Sequence, residues 1–194
     1  MNNVTSKNLN IQKAVVDFFV QLGDDPNRDG IRETPKRHEE AMKYLLGGYE
    51  RSFEQENKLF ENLTKYKDII VLKNIDFFST CEHHLLPFFG YAHVGYVPGK
   101  RVLGISKLAR AVDIYARRLQ DQESLGSQVA DVLITTGEAE GAAVLIEGRH
   151  LCNAARGVEK TLSIMTTCVF RGSFENNTKL QDKFLDIVRI RKSL

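Results

Sequence analysis

The chain has 194 residues, 42% of them hydrophobic, and a formal net charge of +2. This length and composition fit one good core, or a compact domain with a smaller helical attachment. The charge is too small to argue for nucleic acid or membrane as a partner, so any basic site must be local. No apolar run approaches the roughly 18 residues of a membrane span, and the N-terminal segment MNNVTSKNLN lacks a secretory signal. We therefore expect a cytoplasmic protein.

The first part of the chain is predicted to be helical. Residues 10–22 repeat apolar side chains with a helical period, and Gly23 is a plausible stop. The polar stretch DDPNRDG predicts a turn, after which Thr34, followed by proline, has the signature of a helix start. This second helix is expected to end near Gly47. We predict an N-terminal helical region over residues 1–65.

Strands dominate the sequence from about Tyr66 onward. The segment DIIVLKNIDFFS is β-branched and aromatic, and GYAHVGYVPGKRVLGIS predicts a hairpin that turns at Pro98 and Gly99. Two later segments, GAAVLIEGRHLCN and SIMTTCVFRGSF, predict further strands. Cys168, in the second of these, is assigned to the core.

Helical segments interrupt and follow these strands. SKLARAVDIYARRLQ carries an apolar face with Ser106 as the expected N-cap, residues 122–136 repeat the pattern, and TKLQDKFLDIVRIR predicts a C-terminal helix. The order helices, strands, helices, strands favours an α+β fold over a parallel βαβ array. Residues 66–194 are therefore predicted to form one structural unit.

The stretch STCEHHLLPF places a thiol, a carboxylate and two imidazoles directly before apolar residues. Three cysteines in a chain without a signal peptide indicate reduced thiols rather than disulfides. Cys81 and His84 are three positions apart, so a helical turn would point both side chains toward one ion. In EGRHLCN, His150 and Cys152 are two positions apart and would share a face of a strand.

A set of Cys81, His84 and Cys152 would be a metal site of the catalytic kind. Three protein ligands leave one coordination position open for water, as in catalytic zinc sites, and His83 and His150 would stand beside that water. The alternative is that Cys152 is a small buried hydrophobic residue on an apolar strand. The spacing alone leaves both interpretations open.

A second candidate cluster is basic. Lys107 and Arg110 lie in the first turns of the helix that begins near Ser106, where free backbone N–H groups and the helix dipole favour an anion. Arg156 follows the His150 strand by a few residues and could bind phosphate through two N–H groups. A solvated helix face is the competing interpretation of these charges.

An acidic residue lies between the two central predicted helices, in the segment LQDQES. The Glu123 carboxylate could accept hydrogen bonds from the amino group and ring N–H of a guanine. Taken alone, a carboxylate at this position is more often ordinary charge at a helix start. The residue is therefore a candidate whose role depends on the rest of the site.

The segments STCEHHLLPFFGYAHVGYVP, GISKLARAVDIYARRLQDQE and HLCNAARGVEK closely resemble GTP cyclohydrolase I, and the likeness runs from about DPNRDGIRETPKR to the C-terminal helix. The resemblance implies a tunnelling fold, in which an antiparallel four-stranded sheet is backed by two helices and follows an N-terminal helical region. It also implies a homo-oligomer, a toroidal decamer with active sites at subunit interfaces.

By motif, the resemblance suggests a role for each candidate residue. Cys81, His84 and Cys152 match the ligands of one zinc ion (Zn2+) per subunit, and His83 and His150 match the two catalytic imidazoles. The positions that match substrate contacts are Gln122 and Glu123 for the guanine, and Ser106, Lys107, Arg110 and Arg156 for the triphosphate.

The family reaction converts GTP and water to 7,8-dihydroneopterin triphosphate and formate, the first step of pterin and folate biosynthesis. Zinc would supply hydroxide to carbon 8 of the purine, His150 could protonate nitrogen 7, and His83 is a candidate for later proton transfers. Two alternatives stay open. One is a catalytically silent purine-nucleotide-binding scaffold with structural zinc, and the other is a related tunnelling-fold enzyme that acts on a pterin or deazapurine.

Four positions depart from the family's pattern. Ser124 stands where the family usually has Arg, and Asp121 stands where an apolar residue is common. Met165 and Cys168 replace the more frequent Thr and Ser. Because none of these residues is a predicted metal ligand or catalytic imidazole, we expect an active enzyme.

Overall fold

The structure is a computed structural model that describes residues 10–190. Its contacts divide the chain into two units, Met1–Leu45 and Leu46–Leu194. This division falls earlier than the boundary predicted between residues 65 and 66. The reason is that the segment after Leu45 folds with the second unit, where the short strand Leu59–Glu61 pairs with Arg101–Leu103.

The first unit contains two helices within its described residues. Helix α1 spans Ile11–Gln21 and α2 spans Thr34–Leu45. Asn10 caps α1, because its side chain accepts a backbone N–H from the first turn at 3.1 Å. Between the helices, Asp25 accepts from the Asn27 N–H at 2.9 Å and forms an Asx-turn. Both predicted helices and the predicted polar turn are confirmed.

The second unit begins with a single 3-10 turn and then alternates short and long elements. In chain order they are the 3-10 turn Gly47–Glu50, α3 (Phe53–Glu56), β1 (Leu59–Glu61), β2 (Ile70–Cys81), β3 (Pro87–Pro98), β4 (Arg101–Leu103), α4 (Ile105–Ala116), β5 (Leu119–Gln120), α5 (Gln122–Thr135), β6 (Ala139–His150), α6 (Leu151–Ala154), β7 (Met165–Gly172) and α7 (Thr178–Arg189). The long strands are rich in β-branched and aromatic residues, as strands require.

The larger sheet, within the part of the chain that the structure describes, has five strands in the order β5–β2–β3–β6–β7. Its four long strands are antiparallel neighbours, which is the expected four-stranded sheet. The short β5 is an addition that the sequence did not predict. It pairs in parallel with the end of β2, Cys81 lying opposite Gln120, so it brings the start of α5 beside Cys81.

The predicted hairpin at Pro98 and Gly99 is wrong. Strand β4 pairs instead with β1 in a separate two-stranded sheet, with Phe60 opposite Val102. The physical reason is that β3 already has hydrogen-bonded neighbours on both edges, β2 and β6. No edge of β3 is left for β4.

Two predicted element boundaries also differ from the structure. Helix α4 begins at Ile105, so Gly104 occupies the N-cap position and Ser106 lies inside the first turn. Strand β6 ends at His150, so Cys152 lies in the helical turn α6 and not on a strand. His150 pairs with Phe88, and the residue before Phe88 is a proline, which has no N–H to extend the ladder.

Helices α4 and α5 back one face of the sheet and enclose the main core, with Leu108 and Leu125 among its fully buried side chains. Helix α7 covers part of the opposite face, where Phe184 is fully buried.

Cys168 was wrongly assigned to the core. Its neighbour Val169 packs against the main core, so Cys168 faces away from it and is exposed.

An antiparallel sheet backed by two helices confirms the α+β class and the tunnelling fold. Across residues 10–190, the helices lack the length and apolar character needed to cross a membrane.

Candidate active site

Three predicted ligand residues converge in the structure. Cys81 ends β2, His84 lies in the following turn and Cys152 lies in α6, and their ligand atoms are all within 4.8 Å of one another. The Sγ of Cys81 is 3.7 Å from the Nδ1 of His84. Zinc–sulfur and zinc–nitrogen bonds of about 2.3 and 2.0 Å, at a tetrahedral angle, would place two such atoms about 3.5 Å apart. The donor chemistry and the spacing therefore fit a four-coordinate zinc ion with one open position.

A tight turn brings His84 back toward Cys81. The N–H groups of His84 and Leu85 both donate to the Cys81 carbonyl, at 3.3 and 2.8 Å, and the Cys81 N–H donates to the Leu86 carbonyl at 2.9 Å. Leu85 takes a positive φ of 54° where the chain reverses. The turn places both ligand side chains on one side, as their three-residue spacing predicted.

The Cys152 thiol is affected by its surroundings in the cluster. Burial, and then the neighbouring Cys81, raises the pKa of the Cys152 thiol. A cation bound between the two sulfurs would reverse this effect, because it stabilises the thiolate forms. Metal binding at this cluster should therefore release protons.

His150 is held by the amide of Gln122, which is fully buried. The Nε2 of Gln122 donates to the carbonyls of Ile146 and Met165, at 3.1 and 3.0 Å. Carbonyl oxygens only accept, so the amide nitrogen must face them and the amide oxygen must face the Nε2 of His150, 3.0 Å away. His150 therefore carries a hydrogen on Nε2, and its Nδ1 keeps the lone pair in the neutral ring.

Gly148 makes room for this buried amide. A Cβ at this position would lie 2.3 Å from the Oε1 of Gln122, far inside contact distance. Gly148 was not among the predicted site residues. A glycine inside a predicted strand is the signal that could have revealed it, because such a glycine often marks the close approach of another group.

The His150 ring is also fixed by stacking. Its plane lies 6° from that of Phe88, with ring centroids 4.5 Å apart. Burial lowers the pKa of His150, and the charge of Glu123 offsets part of this effect. The ring is therefore well oriented, and its protonated form is a stronger acid than that of a free histidine.

His83 is more open to solvent than His150. Its Nδ1 lies 3.8 Å from the Cys81 Sγ, and its Nε2 lies 3.8 Å from the Glu82 carboxylate. About two thirds of the His83 side chain is exposed. This imidazole lies beside the ligand cluster and can exchange protons with water.

The first turn of α5 presents Glu123 at the surface. Asp121 caps this helix, since its carboxylate accepts from the Ser124 N–H at 2.6 Å and from the Ser124 hydroxyl at 2.8 Å. These two residues depart from the family's pattern, and the structure shows that they pair with each other. Together they stabilise the helix start that carries Gln122 and Glu123.

Lys107 and Arg110 lie one turn apart on α4, and both contact Glu56 at the end of α3. Lys107 Nζ donates to the Glu56 carbonyl at 2.5 Å, and Arg110 Nη1 donates to the Glu56 carboxylate at 3.0 Å. Ser106 is exposed in the same turn of α4, and Arg156 is exposed beyond α6. Glu56 was not among the predicted site residues, because no local pattern links it to Lys107, 51 positions later in the chain.

Most of the predicted substrate contacts are exposed on the single chain, whereas Gln122 is fully buried. A cavity of about 560 Å³ lies around Phe78, Phe89 and Arg149 and is also lined by Gly148. Among the residues that the structure describes, its lining includes none of the predicted site residues.

The chain matches the family model described as GTP cyclohydrolase I over residues 11–189. The chain belongs to the GTP cyclohydrolase I family. Relatives named GTP cyclohydrolase 1 include a protein of Coxiella burnetii (strain Dugway 5J108-111), 46% identical over 172 residues that cover 89% of this chain and 94% of the relative. Another, from Hahella chejuensis, is 45% identical over 175 residues, which cover 89% of this chain and 92% of the relative.

The family match spans every predicted site residue, since these all lie between positions 81 and 156. Among solved structures, the apo form of the archaeosine synthase QueF-Like has a TM-score of 0.43 and 19% identity, covering 56% of this chain and 98% of that chain.

Proposed function

We propose that this protein converts GTP and water to 7,8-dihydroneopterin triphosphate and formate. The observation that carries the proposal is the three-donor cluster of Cys81, His84 and Cys152, with His150 held in one tautomer two residues from the last ligand. Membership of the GTP cyclohydrolase I family supports the same reaction.

Cys81, His84 and Cys152 would hold one zinc ion per subunit. Two thiolates and an imidazole form a donor set that suits zinc among the common divalent ions. Bound there, zinc would activate water for attack on purine carbon 8 and stabilise the negative charge that develops. The chain itself supplies the geometry, through the Cys81 turn and α6.

His150 would act as the general acid toward the purine. With Nε2 hydrogen-bonded to Gln122, Nδ1 is the atom that can take up a proton and deliver it to nitrogen 7 of the ring. Burial lowers the pKa of His150, so the protonated ring gives up its proton readily. His83, exposed beside Cys81, would carry protons during the later opening and reclosure of the ribose.

Glu123 would accept hydrogen bonds from the amino group and ring N–H of the guanine. Gln122 is fully buried, so we assign it to the positioning of His150 and not to direct contact with the guanine. Ser106, Lys107, Arg110 and Arg156 would bind the triphosphate. Because the phosphates take no part in the bond changes, these contacts supply anchoring energy that positions the reacting ring.

A neighbouring subunit would complete the site. Nucleotide sites are concave and bury most of the ligand, whereas Ser106, Glu123, Arg110 and Arg156 are exposed on the single chain. We therefore propose a cytoplasmic homo-oligomer, specifically the decamer implied by the family resemblance, with active sites between subunits.

The test is to incubate metal-analysed protein with GTP and to measure formate together with the ultraviolet spectrum of a dihydropterin. We expect the two products in equal amounts. A chelator should abolish both products in the wild-type protein, and added zinc should restore them. Cys152→Ala should be inactive with or without added zinc, because it lacks one ligand.

Two results would overturn the proposal. If the zinc-loaded protein bound GTP but released neither product, a silent nucleotide-binding scaffold would be the better description. If GTP did not bind at all, unphosphorylated pterins and deazapurines would be the next substrates to assay.

A further inference from the structure

We propose that Glu56 is a positioning residue for triphosphate binding, which holds Lys107 and Arg110 side by side so that both can receive phosphate oxygens. This inference rests on the proposed function, since it takes Lys107 and Arg110 as triphosphate contacts. Glu56 lies at the end of α3, within the range of the family match but outside the three segments STCEHHLLPFFGYAHVGYVP, GISKLARAVDIYARRLQDQE and HLCNAARGVEK.

The two cations need such a partner because they repel each other. Lys107 and Arg110 are three positions apart on α4, a spacing that brings like charges together on one helix face. Glu56 offers each of them an acceptor, its carbonyl to Lys107 at 2.5 Å and its carboxylate to Arg110 at 3.0 Å. One residue therefore fixes both side chains.

The Glu56 carboxylate is itself anchored by Arg51. The Nε and Nη2 of Arg51 donate to the two carboxylate oxygens at 2.7 and 2.8 Å, a bidentate pair. Hydrogen bonding from Arg51, with a smaller contribution from Arg110, lowers the pKa of Glu56 to about 2. The carboxylate therefore stays charged at neutral pH and is held in place.

The two cations keep donors for an anion while they contact Glu56. A guanidinium has five N–H groups and an ammonium has three, and the contacts with Glu56 use Nη1 of Arg110 and one bond from Lys107. About half of the Arg110 side chain is exposed to solvent. Arg51 and Arg110 pair with the Glu56 carboxylate, and Lys107 contacts the carbonyl of the same residue, so three positive charges lie near one negative charge.

Glu56 could instead weaken phosphate binding through its own negative charge. The bidentate pair with Arg51 largely neutralises that charge, whereas without the carboxylate Arg51 and Arg110 would lose their shared partner and repel each other. We therefore expect positioning to outweigh repulsion. A rise of the KM for GTP when Glu56 is replaced would indicate positioning, and a fall would indicate repulsion.

The test is Glu56→Gln, which keeps the size of the side chain and removes its charge. We expect the KM for GTP to rise by about fivefold to tenfold, as for the loss of a charge-assisted contact, while kcat changes by less than about twofold. The inhibition constant of inorganic tripolyphosphate should rise by the same factor as KM. Neither constant depends on the folded fraction, so reduced stability alone would not produce this result.

Glu54→Gln is the matched control. Glu54 lies in the same short helix, but its carboxylate contacts Ser52 and Thr136. This variant should keep the wild-type KM for GTP and the wild-type inhibition constant of tripolyphosphate.

Arg51→Lys is the second variant. It keeps the charge but loses the bidentate anchor, so both constants should rise here too, by a smaller factor.

Unchanged or lowered constants in both Glu56→Gln and Arg51→Lys would overturn the inference, and lowered values would identify Glu56 as a competitor of the phosphates. These results would leave the proposed function standing, because they require a wild-type protein that turns over GTP. If the wild type produced no formate, the proposed function would fail by itself. Tripolyphosphate binding, measured by calorimetry on the same variants, would then decide the role of Glu56.

Discussion

At the scale of single residues, the buried amide of Gln122 and the glycine at position 148 determine which nitrogen of His150 carries a hydrogen. The Gln122 amide is oriented by two backbone carbonyls and so determines which nitrogen of His150 carries hydrogen. The amide fits only because position 148 is glycine. Glycine and glutamine have no acid–base chemistry of their own, which is why a search for reactive residues does not find this arrangement.

Gly148→Ala should impair catalysis more than binding. The added Cβ would lie 2.3 Å from the Gln122 oxygen, so the amide must shift and His150 loses its acceptor. We expect kcat to fall by about tenfold or more, since general acid catalysis contributes about 10²–10⁴-fold, with a smaller change in KM. Steady-state kinetics with GTP provides the measurement.

The control for this substitution is Gly47→Ala, because a Cβ at position 47 would meet nothing within 4 Å. Its kcat should equal that of the wild type. In a His150→Ala background, Gly148→Ala should cause little further loss, since both changes act through the same imidazole. A Gly148→Ala protein with the wild-type kcat would show that the amide does not position His150.

At the scale of elements, the one-turn helix α3 contributes to the candidate site because its last residue, Glu56, contacts α4. Glu56 bridges Arg51, before α3, and Arg110, on α4, so an ion-pair network joins segments far apart in sequence.

The pairing of β4 with β1 follows from the order of the strands in the larger sheet. Because β2 and β6 occupy both edges of β3, β4 can pair only elsewhere, and it joins β1 beside α3.

The contribution of Glu56 to stability should depend on pH. Its pKa is about 2 in the folded chain against an ordinary value of 4.5, so the folded state favours the charged form. The stabilisation is complete above about pH 4.5 and is lost as the pH falls through about 2. We therefore expect the stability difference between the wild type and Glu56→Gln to be constant at neutral pH and to shrink on acidification.

Denaturant unfolding of both proteins at a series of pH values would measure this difference. Glu54→Gln serves again as the comparison, because the hydroxyl of Ser52, and not a paired cation, is the main cause of the lowered pKa of Glu54. Its stability difference should also shrink on acidification, but by less than that of Glu56→Gln. A difference that stayed the same from pH 7 to pH 2 would mean that the charge of Glu56 does not stabilise the fold.

At the scale of the whole molecule, the single chain does not enclose its candidate site. The ligand cluster and the imidazoles are formed within one chain, while Glu123, Ser106 and Arg156 remain exposed. Both edges of the larger sheet, β5 and β7, belong to the same unit as the site. An assembly that covers these surfaces would produce the concave pocket that a nucleotide requires.

Light scattering should therefore find an oligomer, with ten times the 22.0 kDa mass of the chain as the specific expectation. Conditions that dissociate the oligomer should abolish GTP turnover, because each site would lose the surfaces that enclose it. Activity and mass should be followed together across a dilution series. A stable monomer with full activity would contradict both the assembly and the shared site.

The sequence by itself determined the α+β class, the main helices and strands, and the set of candidate ligands. Apolar periodicity, cap residues and the spacing of Cys81 and His84 are local properties, and local physical rules act on them directly. Cys152 does lie in the cluster, although the predicted reason was wrong, since it reaches the cluster from a helical turn and not from a strand.

Only the tertiary structure decided which distant groups meet. The partner of β4, the amide that holds His150 and the contacts of Glu56 with Lys107 and Arg110 all join segments far apart in the chain. Two distant segments can pair only where a strand edge or a sheet face is still free, and this depends on how the whole unit packs. No local pattern in the sequence carries that information.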